Sequence, residues 1–129
     1  MSSSAATGAA VGTPRIILRA EGAALFLAAV FVFWRLGGSW LLFLVLFLAP
    51  DLSFLAYLSS PRLGAAAYNV VHTTLGPLAL FALGYLFDAA LVEGLAAIWL
   101  AHVGIDRALG YGLKYATAFN DTHLGRIGR

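Results

Sequence analysis

Cysteine is absent from the 129 residues. Disulfides, zinc knuckles, iron–sulfur clusters and thiol catalysis are therefore excluded. Charge is scarce as well, at 11% of the chain against roughly 25% in a soluble domain. Hydrophobic residues reach 61%, against roughly 45–50%, and mean hydropathy is +0.88. Eight basic and six acidic side chains cannot cover a water-soluble domain of this size. Disorder is excluded over most of the length, because disordered segments are polar. The isoelectric point is near 9.3, yet the basic residues stand singly, with no run or basic face to hold a nucleic acid. The composition is that of an integral membrane protein.

Residues 1–14 are small and polar and read as a disordered tail. They lack the order of charge, apolar core and cleavage site that marks a signal peptide, so the first span is expected to stay in the mature protein. A bilayer core about 30 Å thick takes roughly 20 helical residues. Four stretches qualify: about 16–34, 39–57 with Pro50 inside, 64–86 and 89–109. They are separated by Gly37-Gly38-Ser39, by Ser59-Ser60-Pro61-Arg62 and by a tight turn near Asp88. Continuous apolar runs argue against the alternating strands of an outer-membrane barrel. The expected fold is an all-α, four-helix transmembrane bundle over residues 15–110, followed by an amphipathic interfacial segment over 111–129. With four spans both termini share one side, together with Arg15, Arg19, Arg62, Arg107, Lys114, Arg126 and Arg129. Arg35 alone stands opposite, beside Asp88 and Glu93, so the termini are expected in the cytoplasm. Trp34, Trp40 and Tyr85 suit the outer interface.

Ionisable groups inside a bilayer are costly and mark candidate sites. At 1.5 Å per residue, Glu21 lies roughly 9 Å, and Asp51, His72 and His102 roughly 12 Å, from the cytoplasmic ends of their spans, with Asp106 one turn shallower. His102 and Asp106 are four apart and share a helix face. Asn69, His72 and Thr73 also share one. Such faces point into a four-helix bundle. Small residues permit close approach: Gly22 and Ala28 on the first span, Gly76 on the third, and Ala97, Ala101 and Gly104 on the fourth. Imidazoles with carboxylates suit Zn, Fe, Mn or Ni. Asp51, His72, His102 and Asp106 are thus the expected ligands of a divalent metal, Zn, Mn or Fe. A spare carboxylate is a candidate general base. Asp106 and Asn69 are candidates for catalytic roles, Asn69 by orienting a ligand or substrate. Plainer readings stand beside this one: a core histidine at 72, helix capping by Asp51, pairing of Glu21 with Arg15 or Arg19, and an Asp106–Arg107 ion pair. A structural polar network and an ion or proton pathway also fit the same residues.

The C-terminal segment carries Tyr111, Leu113 and Tyr115 around Lys114, a pattern for the headgroup level with Lys114 toward lipid phosphates. Asp121 and His123 fall on a loop and are candidates for lid or additional site groups; an amphipathic tail explains them as well. The Walker, GxSxG and HExxH signatures are missing.

Pro50-Asp51, Tyr68-Asn69-x-x-His72, His102-x-x-x-Asp106-Arg107-x-x-Gly110-Tyr111-Gly112-Leu113-Lys114-Tyr115 and Phe119-x-Asp121-Thr122-His123-Leu124-Gly125 form a set. Over about residues 14–127 the chain resembles the domain of unknown function 4260 family, short bacterial multi-pass membrane proteins. The resemblance implies the membrane class, and a place in the inner membrane, but no activity. A looser similarity is to membrane-bound metal-dependent hydrolases with a Pro-Asp and helix-borne histidines, although their His-Arg-x-x-Thr-His signature is missing. Three functions follow: a metal-dependent hydrolase of a lipid-like substrate, an oligomeric ion- or proton-coupled carrier, or an accessory subunit. Membrane lipids and further copies of the chain are the expected partners.

Overall fold

The computed structural model describes residues 10–113, 121–122 and 124–126. The chain forms α1 (Gly12–Arg35), α2 (Trp40–Leu46), a 3-10 helix (Ala49–Leu58), α3 (Pro61–His72), α4 (Leu75–Leu86) and α5 (Ala90–Ala108). A short antiparallel pair, β1 (Asp121–Thr122) and β2 (Gly125–Arg126), follows, with Asp121 opposite Arg126. Lys114 and His123, and the side chain of Asp121, lie outside the described residues.

Local chemistry sets the turns where the sequence expects them. Gly37 takes φ 71°, which glycine adopts at no steric cost. The Ser39 hydroxyl then accepts the Leu42 N–H at 3.3 Å, and Ser60 accepts the Leu63 N–H at 3.0 Å with Pro61 at the first helical position. At the end of α4, Asp88 takes φ 52°. The Ala89 N–H reaches back to the Gly84 carbonyl at 2.8 Å and Asp88 N–H to Tyr85 at 3.3 Å, a Schellman closure with Asp in the left-handed position.

The second and third expected spans are each interrupted, and proline explains both breaks. A proline ring clashes with the carbonyl four residues earlier and has no N–H to give it. Four residues before Pro50 is Leu46, where α2 stops. Four residues before Pro77 is Thr73, one residue past the end of α3, with extended backbone at φ −79° and ψ 155°. The stretch 64–86, read as one span, is therefore two helices.

Three units are long and apolar enough to cross a membrane: Gly12–Arg35, Trp40–Leu58 and Pro61–Leu86. They mark the chain as a membrane protein. The expected fourth, α5, has the length, but its 19 residues carry Glu93, Asp106 and Arg107. These charges sit on the most enclosed helix: Gly94, Ala96, Ala97, Ile98, Ala101, His102, Val103 and Gly104 are all buried. Large apolar side chains instead face outward, from Leu44 through Leu52 to Leu58 at 87% exposure. An apolar exterior around a small-residue centre is the pattern of a protein solvated by lipid.

α1 and α5 run antiparallel and nearly touch. A Cβ built on Gly22 would fall 2.4 Å from the Arg107 Cβ, and one on Gly104 would fall 2.6 Å from the Phe26 nitrogen. Gly76 similarly makes room for the Trp99 ring. Ala28, expected in this seam, is exposed; its neighbour Ala29 is buried there instead. Phe33, Phe43, Ala97, Ile98 and Ala101 complete the core. Trp40, Phe43 and Phe47 line one face of α2, with ring centroids 5.4 Å apart in sequence, and Phe47 meets His102 at 5.4 Å. This ladder seats the short α2 against α5 and ends at the polar cluster.

Candidate metal centre

Three separate segments bring their ionisable groups to one point. Asp51 is the third residue of the 3-10 helix, just past the Pro50 break. His72 ends α3 at the Pro77 break. His102 and Asp106 lie one turn apart on α5. Both imidazoles are buried, while the side chains of Asp106 and Asp51 are 16% and 35% exposed.

His72 Nε2 lies 3.2 Å from His102 Nε2 and 3.4 Å from Asp51 Oδ1. It lies 3.6 Å from Asp106 Oδ2. His102 Nε2 lies 3.2 Å from Asp51 Oδ1 and 3.1 Å from Asp106 Oδ2. All four ligand atoms fall within 4.8 Å of one another. A tetrahedral ion bound at roughly 2.0–2.2 Å holds its ligand atoms roughly 3.3–3.6 Å apart. The five edges that include an imidazole nitrogen, 3.1–3.6 Å, lie close to that range.

Hydrogen bonding prepares His72 for this role. Its Nδ1 lies 2.9 Å from the Tyr68 carbonyl, which can only accept, so the proton sits on Nδ1. The neutral ring then points the Nε2 lone pair at the cluster, as a ligating histidine held by a carbonyl does. Tyr68 also stacks on His72 at 3.7 Å and 6°. His102 Nδ1 is buried without a hydrogen bond of full geometry, and its ring packs against Phe47. Two carboxylate oxygens and the lone pair of His72 thus converge beside a second imidazole nitrogen. A proton on His102 Nε2, or a bound cation, holds such a set together.

The break that frees His72 also exposes carbonyls, and α5 satisfies them. Trp99 Nε1 donates to the Val71 carbonyl at 2.5 Å, and Arg107 Nη2 donates to the His72 carbonyl at 3.1 Å. Thr73 N–H bonds Asn69 O at 3.0 Å. Non-helical backbone at membrane depth persists only when its polar groups are answered in this way.

The four expected ligands are together. Asn69 is half-buried on α3, three residues before His72. Glu21 is exposed on α1 and stands outside the cluster. Arg15 and Arg19 direct their Nε atoms to the carbonyls of Leu124 and Ala108, the latter at 2.9 Å. They thereby tie α1 to the chain after α5. The alternative Asp106–Arg107 pair is not what these side chains form: Asp106 meets the histidines and Arg107 caps α3. The contacts of Tyr68, Trp99 and Arg107 around His72 go beyond the sequence reading, in which Trp99 has no role, Tyr68 stands only in a motif, and Arg107 is a topology charge and a candidate partner of Asp106. The signal for Tyr68 was its place four residues before His72, the spacing that stacks one helical ring on another.

No curated protein and no solved structure matches the chain. The match that exists is to a family described as a domain of unknown function (DUF4260), and it covers residues 15–127, from Arg15 at the base of α1 to beyond the β1–β2 pair. Every residue of the cluster lies within it, and the chain belongs to the DUF4260 family.

Proposed function

We propose that the chain is a four-span protein of the cytoplasmic membrane, with both termini inside, whose Asp51–His72–His102–Asp106 cluster binds one divalent ion and hydrolyses a lipid-like substrate reached from the bilayer. The convergence of four ligand atoms within 4.8 Å, with the edges to the two imidazole nitrogens near tetrahedral spacing, carries this reading. Two carboxylates balance the ion's charge, and two imidazoles with two oxygens favour Zn, with Mn or Fe taking additional ligands. Antiparallel packing of α5 along the full-length span α1 supports the fourth span, with Arg107 against α1, Glu93 against Gly84 of α4 and Asp106 against the histidines.

Hydrolysis needs an open coordination position. Asp51 is the most exposed of the four side chains and would be the one to give way to a water or substrate oxygen. A bound ion would polarise a carbonyl or phosphoryl oxygen and lower the pKa of water. The Asp51 carboxylate would then accept the proton of the attacking water. His72 is held in place by Tyr68, Asp106 stays with His102, and Asn69 orients the substrate.

Metal analysis of the detergent-purified protein tests the reading. Stoichiometric Zn, Mn or Fe that is lost in His72→Ala and His102→Ala supports it, and a metal-free, fully stable protein refutes it. A second reading, an oligomeric ion carrier, rests on the two interrupted spans, since transporters place ions at such breaks. Ion flux into liposomes that disappears in Asp51→Asn favours the carrier.

A further inference from the structure

An apolar crevice of about 300 Å³ opens beside the cluster and is lined by Ala49, Pro50, Leu80, Leu95, Ile98 and Trp99, together with Val71. It lies where the two proline breaks part the second and third spans. Its lining adjoins the candidate ligands along the chain at three places. Pro50 precedes Asp51, and Val71 precedes His72. Leu95, Ile98, Trp99 and His102 stand at i, i+3, i+4 and i+7 on α5, one helical face that runs from the crevice into the site. The volume falls at the lower end of small-molecule pockets, roughly 300–1,000 Å³.

We infer that this crevice holds the alkyl chain of the substrate, so that the reaction acts on a lipid with a single chain at the cleavable group, drawn in sideways from the bilayer. The inference rests on the metal-dependent reading above. A purely polar substrate gains nothing from eight apolar lining residues, whereas a chain laid along Leu95 and Ile98 delivers its oxygen-bearing end toward His102 and Asp51. The crevice is short, so it limits chain length as well as selecting for a chain.

Three metal-binding probes of rising length test this: acetohydroxamate, octanohydroxamate and dodecanohydroxamate, titrated into the cobalt-loaded protein in detergent and read by the cobalt absorption bands. Each CH₂ transferred from water is worth roughly a fourfold gain, but micelles also concentrate the longer probes. The comparison is therefore with Ala49→Trp and Leu80→Trp, which fill the crevice from two different segments. Both variants should keep cobalt and acetohydroxamate binding, while the advantage of the longer probes over acetohydroxamate shrinks about tenfold or more. Equal chain-length dependence in wild type and both variants overturns the crevice and leaves the metal centre standing. Failure to bind cobalt at all overturns the metal reading and this inference with it. Cobalt binding with no response to any hydroxamate shows a closed centre and likewise ends both the hydrolase and the chain assignment.

Discussion

His72 Nε2 and His102 Nε2 face each other at 3.2 Å, although thirty residues and a helix break separate them. The bond from His72 Nδ1 to the Tyr68 carbonyl keeps the lone pair of His72 on its side of that gap. Two imidazole nitrogens this close, with carboxylates at 3.1–3.6 Å, are held by a proton on His102 Nε2 or by a cation between them.

The two carboxylates should not be equivalent. Asp106 is the more buried, at 16% against 35%, and sits one turn from His102 on the same helix. Asp106→Asn is expected to weaken metal binding more than Asp51→Asn does, which competition with a chromogenic chelator measures. A larger loss in Asp51→Asn would contradict its assignment as the displaceable ligand.

Pro77 places His72 by stopping α3. In Pro77→Ala the residue regains an N–H for the Thr73 carbonyl, and α3 can run on into α4. Helical content should hold or rise by circular dichroism, while metal affinity falls about 10–100-fold, the usual cost of disturbing the support of a ligand. Unchanged affinity would mean that the break does not position the histidine.

Trp99 and Arg107 hold the carbonyls that the break leaves free. Trp99→Phe keeps most of the packing against Gly76 but orphans the Val71 carbonyl, at a cost of about 1–3 kcal/mol. Arg107→Met does the same to His72, the residue that must stay fixed. Thermal unfolding in detergent should fall in both variants, and metal affinity should fall more in Arg107→Met.

The α1–α5 crossing tolerates no added side chain. At Gly104 a new Cβ meets backbone, the Phe26 nitrogen at 2.6 Å, which cannot swing aside. Gly104→Val should destabilise by about 1–3 kcal/mol or more through overpacking. Ala28→Val, at an exposed position, should leave the unfolding midpoint nearly unchanged.

Much of this was legible in the residues. Apolar runs of bilayer length, the turns at Gly37, Ser60 and Asp88, and the i,i+4 pair His102–Asp106 follow from period and local chemistry alone. The break after His72 was also written there, as Pro77 four residues beyond Thr73, but a run of high hydropathy hides a single proline. The phase of α1 was harder: Ala28 and Ala29 are chemically alike, and only the neighbour decides which one is buried. The charges of α5 mislead in the same way, because hydropathy counts a residue without knowing whether lipid or protein surrounds it.

The sequence by itself determined the membrane class, the turns between the spans and the scarcity of ionisable groups that makes each one conspicuous. Those properties depend on composition and on contacts within a few residues. Only the tertiary structure decided that Asp51, His72, His102 and Asp106 meet, that Glu21 does not join them, and that the neighbours of Asp51 and His72 in the chain line one apolar crevice. Such distances depend on how helices cross, and the crossing is set by glycines whose missing side chains have meaning only against a partner helix.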